Sequence, residues 1–148
     1  MTDPIKNSRE ISNGTSCVFC KIVKGEIPAE KVYEDDCCFA FLDITPVNPG
    51  HVLLVPKEHY ENLYEMPDGL LAKMAPTIKK LAIAVKEGVG AEGINLGMNN
   101  ERPAGQLVPH AHFHIMPRFA NDGHLHWRGA SYKDGEAGKV TEKIKSRL

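Results

Sequence analysis

The chain has 148 residues, a formal net charge of −1 and 42% hydrophobic residues, which is typical of one globular domain. Its charges are balanced and no run of Lys and Arg stands out, so the composition argues against a nucleic-acid partner. No apolar stretch approaches the length that spans a membrane, so no membrane partner is expected either. Four cysteines in a domain of this size favour a reducing cytoplasm over a secreted disulfide scaffold.

The first 14 residues are mostly polar and lack the apolar core of a signal peptide. No repeat, low-complexity tract or linker divides the rest of the chain. We therefore expect residues 1–14 to form a disordered tail and residues 15–148 to form a single domain.

Capping residues and apolar spacing predict the helices. Ser16 is a suitable N-cap, and Gly25 a suitable end, for a short first helix. Apolar residues at helical spacing predict one long helix that begins at Pro67. Pro76 lies inside this helix and should kink or split it. The expected helices are 17–24, 67–86 and 139–147.

The strands are predicted from short β-forming runs between turn residues. The Asp35-Asp36 turn joins two such runs and indicates a hairpin. Strands that follow one another across short turns predict an antiparallel sheet with helices on one side, which is an α+β domain. The expected strands are 31–34, 38–42, 51–55, 94–98 and 111–117.

Three glycines at 88, 90 and 93 match the G-x-G-x-x-G spacing of dinucleotide-binding loops. That motif binds pyrophosphate only when it leaves a strand and opens a helix. Here it leaves a helix and enters a strand, so we interpret the glycines as a helix C-cap and a turn.

Three histidines at alternate positions make residues 109–117 the most informative stretch. On a strand, His110, His112 and His114 share one face, and the apolar residues between them point to the opposite face. Imidazole can attack a substrate, transfer a proton, bind metal or receive phosphate near neutral pH. Because His is neither a favoured strand former nor a common surface residue, we expect these side chains to take part in chemistry. The alternative without chemistry is a half-exposed strand whose polar face is rich in His.

Cys17 and Cys20 form a C-x-x-C at the start of the predicted first helix. Two thiolates at this spacing commonly supply half of a tetrahedral zinc site, and histidines would have to complete it. A redox pair or two buried thiols are the alternatives, although the strand that precedes a redox C-x-x-C is missing. Cys37 and Cys38 are most simply core residues. A second His pair, His124 and His126, has no nearby partner and is interpreted as loop or surface.

Together these residues resemble the histidine triad (HIT) family of nucleotide hydrolases and transferases. The resemblance covers residues 16–132, in order and spacing, and the C-x-x-C is similar to that of the zinc-containing microbial-type members. Its elements are FCKI (19–22), IPA (27–29), EDD (34–36), AFLDI (40–44), GHVLLVPKEH (50–59), GMN (97–99), AGQ (104–106) and the histidine strand. The resemblance implies a HIT-like fold with a sheet of about five strands, a main helix and a short N-terminal helix.

The resemblance implies a covalent mechanism. His112 would attack the α-phosphorus of a nucleotide and form a nucleotidyl-histidine, from which water releases a nucleoside monophosphate. The backbone carbonyl of His110 would hold the other ring N–H of His112, with His51 in support. His114 and the amide of Gln106 would donate hydrogen bonds to the phosphate oxygens.

The resemblance also implies the residues that bind a purine nucleotide or nucleotide conjugate. Asp43 would accept hydrogen bonds from the ribose hydroxyls, and Asn99 and Gly105 would line the phosphate end. Leu107 stands where the family commonly has a hydroxyl residue, so a side-chain proton donor to the leaving group is missing there. The apolar cleft around the base would be formed by residues that plain core packing explains equally well, namely Phe19, Ile22, Phe41 and Ile44.

Zinc and a second subunit complete what the resemblance implies. Cys17, Cys20, His59 and His110 would hold a structural Zn²⁺. The chain would form a two-fold homodimer through helix 67–86 and strand 94–98. The strand would otherwise be an exposed apolar edge, which proteins usually cover or pair.

Two other functions fit parts of the same pattern. A zinc-dependent hydrolase could use the three triad histidines as ligands of an open metal site. A non-enzymatic module could bind nucleotide without turnover. The sequence favours the nucleophilic enzyme, because His112 comes with orienting, phosphate-binding and ribose-binding positions, but it does not select the substrate.

Overall fold

The computed structural model describes residues 16–148, so the predicted tail at 1–14 lies outside the described residues. The described chain forms one five-stranded antiparallel sheet with strand order β1-β2-β3-β5-β4. The predicted α+β class with its antiparallel sheet is confirmed. The strands are β1 (Lys31–Glu34), β2 (Cys38–Leu42), β3 (Val52–Pro56), β4 (Gly93–Gly97) and β5 (Phe113–Arg118), and the α-helices are α1 (Val18–Val23), α2 (Asp68–Val89) and α3 (Glu136–Lys145).

The two faces of the sheet bury different sets of side chains, because successive residues of a strand point to opposite sides. One face packs against the long helix α2, with Leu54 and Ile115 among its fully buried residues. The other face packs against α1 and includes Phe41 and Leu53. The expectation of helices on one side of the sheet is therefore wrong, because the apolar residues of α1 cover the second face. On β5 and the segment before it, the apolar residues Ala111 and Ile115 join the α2 side. The alternate positions, which carry the histidines, are thereby left to the α1 side.

Helix α2 begins after Pro67 and ends at Gly90, whose φ of 66° is the left-handed conformation typical of a glycine C-cap. The interpretation of the glycine motif as a cap and a turn is confirmed. The helix continues through Pro76, so of the two expected outcomes the split is wrong, and the kink stays a prediction. Proline costs one backbone hydrogen bond, and the burial of Met74, Leu81 and neighbouring side chains against the sheet compensates for it.

Two predicted boundaries differ in ways that matter for the site. Strand β5 begins at Phe113 and not at Ala111, because the Ala111 N–H donates to the carbonyl of Tyr60 at 2.7 Å instead of joining the sheet. His110 and His112 therefore lie just before the strand. The N-cap of α1 is Cys17 and not Ser16, since the Cys17 sulfur accepts the Cys20 N–H.

The C-terminal helix α3 is close to the predicted one, but none of its residues is buried. None of the described helices has the length and hydropathy needed to cross a membrane.

Candidate functional site

Three imidazoles lie together where β5 enters the sheet. The ring centroids of His112 and His114 are 4.9 Å apart, and those of His51 and His114 are 5.1 Å apart. His51 directly precedes β3, the neighbour of β5. His51 and His112 are buried and His114 is partly buried. Two of the three predicted triad rings therefore meet with His51 in one cluster, and the third, His110, points elsewhere.

The ring of His112 is oriented by a backbone carbonyl. Its Nδ1–H donates to the carbonyl of His110 at 2.7 Å, so the lone pair of the neutral ring is on Nε2. Burial lowers the pKa of His112, which keeps the ring neutral at pH 7. No hydrogen bond among residues 16–148 involves Nε2. The sequence-based prediction for the His110 carbonyl is confirmed in its geometry.

His51 and His114 form a hydrogen-bonded pair whose tautomers the backbone determines. The N–H of Val47 donates to Nδ1 of His51 at 3.1 Å, so the neutral His51 ring carries its hydrogen on Nε2. This Nε2–H donates to Nδ1 of His114 at 2.9 Å. His114 then carries its own hydrogen on Nε2, as a donor. Burial lowers the pKa of His51 and lowers that of His114 to about 4, so both rings are neutral at pH 7.

The role of His51 thereby differs from the expectation. The resemblance implied that His51 supports the His110 carbonyl, whereas in the structure His51 binds His114. The reason is local: the loop before β3 turns the Val47 N–H towards the His51 ring. Gly50 makes this turn possible with a φ of +102°, and a Cβ there would lie 2.8 Å from a methyl carbon of Val89.

Asp43 follows β2 directly, and its carboxylate lies beside the histidine pair. One oxygen, Oδ2, is 3.7 Å from Nε2 of His51. The other oxygen accepts hydrogen bonds from the backbone N–H and the hydroxyl of Thr45, which fix the side chain. The carboxylate is thus near the imidazoles, and no Lys or Arg within residues 16–148 forms an ion pair with it, so it can accept further hydrogen bonds.

The apolar wall beside His112 comes from α1 and β2. The ring of Phe19 lies edge-on to His112, with centroids 5.1 Å apart, and 5.4 Å from the ring of Phe41. Ile22 is partly buried against the same cluster. Ile44 does not belong to this wall, because its side chain is 94% exposed. It follows Asp43 into the loop, where the strand has ended.

Gln106 makes hydrogen bonds within the protein, whereas it was predicted to bind phosphate. Its amide nitrogen donates to the carbonyls of Glu61 and Val108 at 2.6 and 3.1 Å, and its amide oxygen accepts the N–H of Glu101 at 2.8 Å. Both amide hydrogens are therefore occupied in this structure, and Gln106 holds the loop before the triad together. Phosphate binding by this amide requires the loop to rearrange.

The residues predicted to line the phosphate end lie on the same loop as Gln106. Asn99 donates to the carbonyl of Gly105 at 3.5 Å, and Gly105 has a φ of +95°. Leu107, one residue beyond Gln106, is 86% exposed.

Four atoms that can bind a metal ion lie close together around the side chain of His110. The sulfurs of Cys17 and Cys20 and the Nδ1 atoms of His59 and His110 lie within 4.8 Å of one another. Three of the four sulfur–nitrogen distances are 3.3, 3.4 and 3.5 Å, and the two nitrogens are 3.2 Å apart. A tetrahedral Zn²⁺ with ordinary bond lengths places nitrogen and sulfur about 3.5 Å apart and two nitrogens about 3.3 Å apart. The side chains therefore fit zinc.

The chemistry of the donors agrees with this geometry. The Nε2–H of His110 donates to the carbonyl of Pro56 at 2.9 Å, which turns the lone pair of Nδ1 towards the cysteines. Burial lowers the pKa of His110 to about 4 and raises that of the Cys20 thiol to about 11. A thiolate in this buried place needs a cation beside it. Nε2 of His59 is buried without a hydrogen-bond partner among the described residues, so His110 is the better oriented of the two rings.

The alternative in which all three triad histidines bind one metal does not fit the arrangement. Among the described residues, His110 groups with the two cysteines and His59, whereas His114 groups with His51 and Asp43. The second group is already joined by the hydrogen bond between its two rings. The triad rings thus serve two separate sites.

Cys38 lies in the core as predicted, and neighbouring Cys37 is partly buried. His124 and His126 are exposed, as predicted for loop residues. His124 nevertheless has a partner, since its Nε2–H donates to the carbonyl of Val47 at 2.8 Å. No motif connects residues so far apart in the chain, so this contact and the polar residues around it were not predicted from the sequence.

The comparison with protein families agrees with the site. The family model described as HIT domain matches residues 24–121. This range includes all members of the two His-containing groups except Cys17 and Cys20. The chain belongs to the HIT family. The prediction made from the histidine strand and its accompanying motifs is thereby confirmed, and the antiparallel sheet described above is the HIT fold.

Relatives extend over most of the chain. An uncharacterised HIT-like protein of Methanocaldococcus jannaschii is 52% identical over 109 residues, which cover 74% of this chain and 84% of that protein. The adenosine 5'-monophosphoramidase of Candida albicans is 39% identical over 147 residues, covering 93% and 95%.

Solved HIT structures match the fold as well. A HIT family member from Bacillus subtilis has a TM-score of 0.83 at 40% identity, with 89% of this chain and 96% of that chain covered. A Zn-bound histidine triad family protein from Mycobacterium smegmatis has a TM-score of 0.71 at 34% identity, covering 92% and 100%.

Proposed function

We propose that this HIT-family protein is a hydrolase that cleaves nucleotide conjugates, such as nucleoside phosphoramidates or dinucleoside polyphosphates, at the α-phosphorus through a nucleotidyl-His112 intermediate. The observation that supports this most is the hydrogen bond from Nδ1 of His112 to the His110 carbonyl, which leaves the lone pair on Nε2. The relative named adenosine 5'-monophosphoramidase supports the hydrolase class and the purine nucleotide.

In the first step Nε2 of His112 forms a bond to the α-phosphorus, and the bond from phosphorus to the leaving group breaks. The leaving group departs with the electron pair and takes a proton from solvent, and the His112 ring becomes positively charged. The His110 carbonyl, which already accepts the Nδ1–H at 2.7 Å, stabilises that charge. In the second step water attacks the phosphorus and gives up a proton to solvent, the electron pair of the P–N bond returns to Nε2, and a nucleoside monophosphate is released.

The neighbours of His112 bind the other parts of the substrate. Nε2–H of His114 donates to a phosphate oxygen as negative charge develops there. The Asp43 carboxylate accepts the ribose hydroxyls, and the wall formed by Phe19, Ile22 and Phe41 contacts the base. Asn99 and Gly105 border the phosphates.

Zinc is proposed as a structural component. When bound by Cys17, Cys20, His59 and His110, it would supply a rigid link between α1, the segment after β3 and the segment before β5. These residues fix the place of His110, and thus of the carbonyl that orients His112. The Zn-bound relative supports this assignment.

We also propose a two-fold homodimer through α2 and β4. Strand β4 is an edge of the sheet, and Leu96 on it is 55% exposed. Ile83 and Val89 of α2 are 49% and 40% exposed. Sedimentation equilibrium tests the dimer: a mass near twice that of the chain is expected, and the single-chain mass with full activity contradicts it.

The function itself is tested by turnover of a small panel of adenosine phosphoramidates, adenylyl anhydrides and dinucleoside polyphosphates. Wild type should release a nucleoside monophosphate, and His112→Ala should lose activity by several orders of magnitude while His126→Ala, an exposed matched control, stays at the wild-type rate. Binding of mononucleotide without any turnover would instead identify a non-enzymatic module.

A further inference from the structure

A cluster of polar residues lies just after the end of β5, around Asp122. The carboxylate of Asp122 accepts hydrogen bonds from Nε and one terminal nitrogen of Arg118 at 2.7 and 3.0 Å. It also accepts the backbone N–H groups of Phe119 and His124 at 3.1 and 3.0 Å, and the side-chain amide of Asn48 at 3.0 Å. Only 6% of the Asp122 side chain is exposed. The carboxylate thus holds the turn at 119–124 in one conformation.

This turn also holds the loop that precedes His51. Asn48 donates to Asp122 and to the carbonyl of Pro117 at 2.9 Å, so both of its amide hydrogens are occupied. One residue earlier, the carbonyl of Val47 accepts Nε2–H of His124 at 2.8 Å. Two consecutive loop residues are therefore attached to the 119–124 turn by side-chain hydrogen bonds.

The same loop is also hydrogen-bonded to the histidine pair. The N–H of Val47 donates to Nδ1 of His51, and Nε2–H of His51 donates to Nδ1 of His114. A chain of three hydrogen bonds thus runs from the His124 ring to the His114 ring. If the Val47 N–H moves away, His51 loses the hydrogen bond to Nδ1 that selects its Nε2–H tautomer, and only the Asp43 carboxylate, 3.7 Å from Nε2, still favours it.

We propose that His124 and Asp122 are positioning residues, which hold Val47 so that His114 keeps its Nε2–H for the substrate. The proposal rests on the function proposed above for His114, but the hydrogen-bond chain can be measured without any substrate. It gives a role to His124, which the sequence analysis placed on the surface without a function.

His124 allows a test that does not depend on the core. Its ring is exposed, so truncation opens no cavity. The matched control is His126, which is two residues later, also exposed, and makes no hydrogen bond to the described residues. The variants are His124→Ala, His124→Gln, which keeps a side-chain N–H donor, and His126→Ala. A further variant, Asp122→Asn, tests the buried end of the cluster.

The first measurement is steady-state turnover of an adenosine phosphoramidate. His124→Ala should lower kcat about tenfold and change KM little, because the lost positioning acts on charge that develops in the transition state. His124→Gln should recover part of kcat, and His126→Ala should equal wild type. An unchanged kcat in His124→Ala would overturn the proposal.

The second measurement is the ring tautomer by ¹H–¹⁵N NMR of the substrate-free protein. In wild type and His126→Ala, the hydrogens of His51 and His114 should be on Nε2. In His124→Ala and in folded Asp122→Asn, the His51 signals should show a mixture of tautomers. Wild-type tautomers in both variants would refute the coupling. If wild type shows these tautomers but hydrolyses no nucleotide conjugate, the proposed function fails while the coupling stands.

Discussion

Acid should destabilise the folded protein through His114. The pKa of this ring is lowered to about 4 by burial and by the neighbouring rings of His112 and His51, whereas an unfolded chain titrates near 6.5. Above pH 6.5 the ring is neutral in both states. Between pH 6.5 and 4 the unfolded state binds the proton first, so the free energy of unfolding falls as pH falls.

The size of the effect follows from the two pKa values. The gap between about 4 and 6.5 corresponds to about 3 kcal/mol, lost progressively on acidification and complete near pH 4. His114→Gln removes the titrating ring. The difference in unfolding free energy between wild type and this variant should therefore shrink by up to about 3 kcal/mol from pH 7 to pH 4.

The assay is urea unfolding of both proteins at several pH values, with equal metal content. Because the comparison is a difference, the titrating groups that do not interact with His114 contribute equally to both proteins and cancel. Stability curves that run parallel from pH 7 to pH 4 would refute the assignment of a buried, neutral His114.

Two other substitutions test the zinc cluster and the loop before His51. Cys20→Ser should lower the zinc content from about one per chain and lower Tm, with Cys37→Ser as the control, and full zinc with an unchanged Tm would exclude the site. Gly50→Ala should destabilise by roughly 1–3 kcal/mol in urea unfolding, because its φ is +102° and a Cβ would contact Val89. The control Gly69→Ala, with no atom within 4 Å of the added Cβ, should be neutral or stabilising, and equal effects of the two changes would contradict the argument.

The parts of the fold that local patterns specify were predictable. The Asp35-Asp36 turn and the apolar run after it predict the β1–β2 hairpin, and the structure has it at the predicted bounds. The glycines at 88, 90 and 93 predict a helix C-cap at the end of α2, and Gly90 provides it; the helix runs to Val89, three residues beyond its predicted end at residue 86. The alternation of histidine and apolar residues also predicts that His112 and His114 face away from α2, even though His112 precedes the strand.

The rest depends on contacts between distant segments. Ala111 leaves the sheet because it pairs with Tyr60, some fifty residues earlier in the chain, and no local signal announces that bond. The amide of Gln106 is occupied by the carbonyl of Glu61 for the same kind of reason. His124 reaches Val47 only because Asp122 holds the turn against the loop. Pairings of this kind follow from the folded chain and not from residue types or spacing.

The most direct test of the central claim is mass spectrometry of the protein after rapid quenching with an adenosine phosphoramidate. The account predicts a nucleotidyl adduct on His112 in wild type and none on any histidine of His112→Ala. Turnover of wild type with no adduct, together with robust activity of His112→Ala, would contradict it.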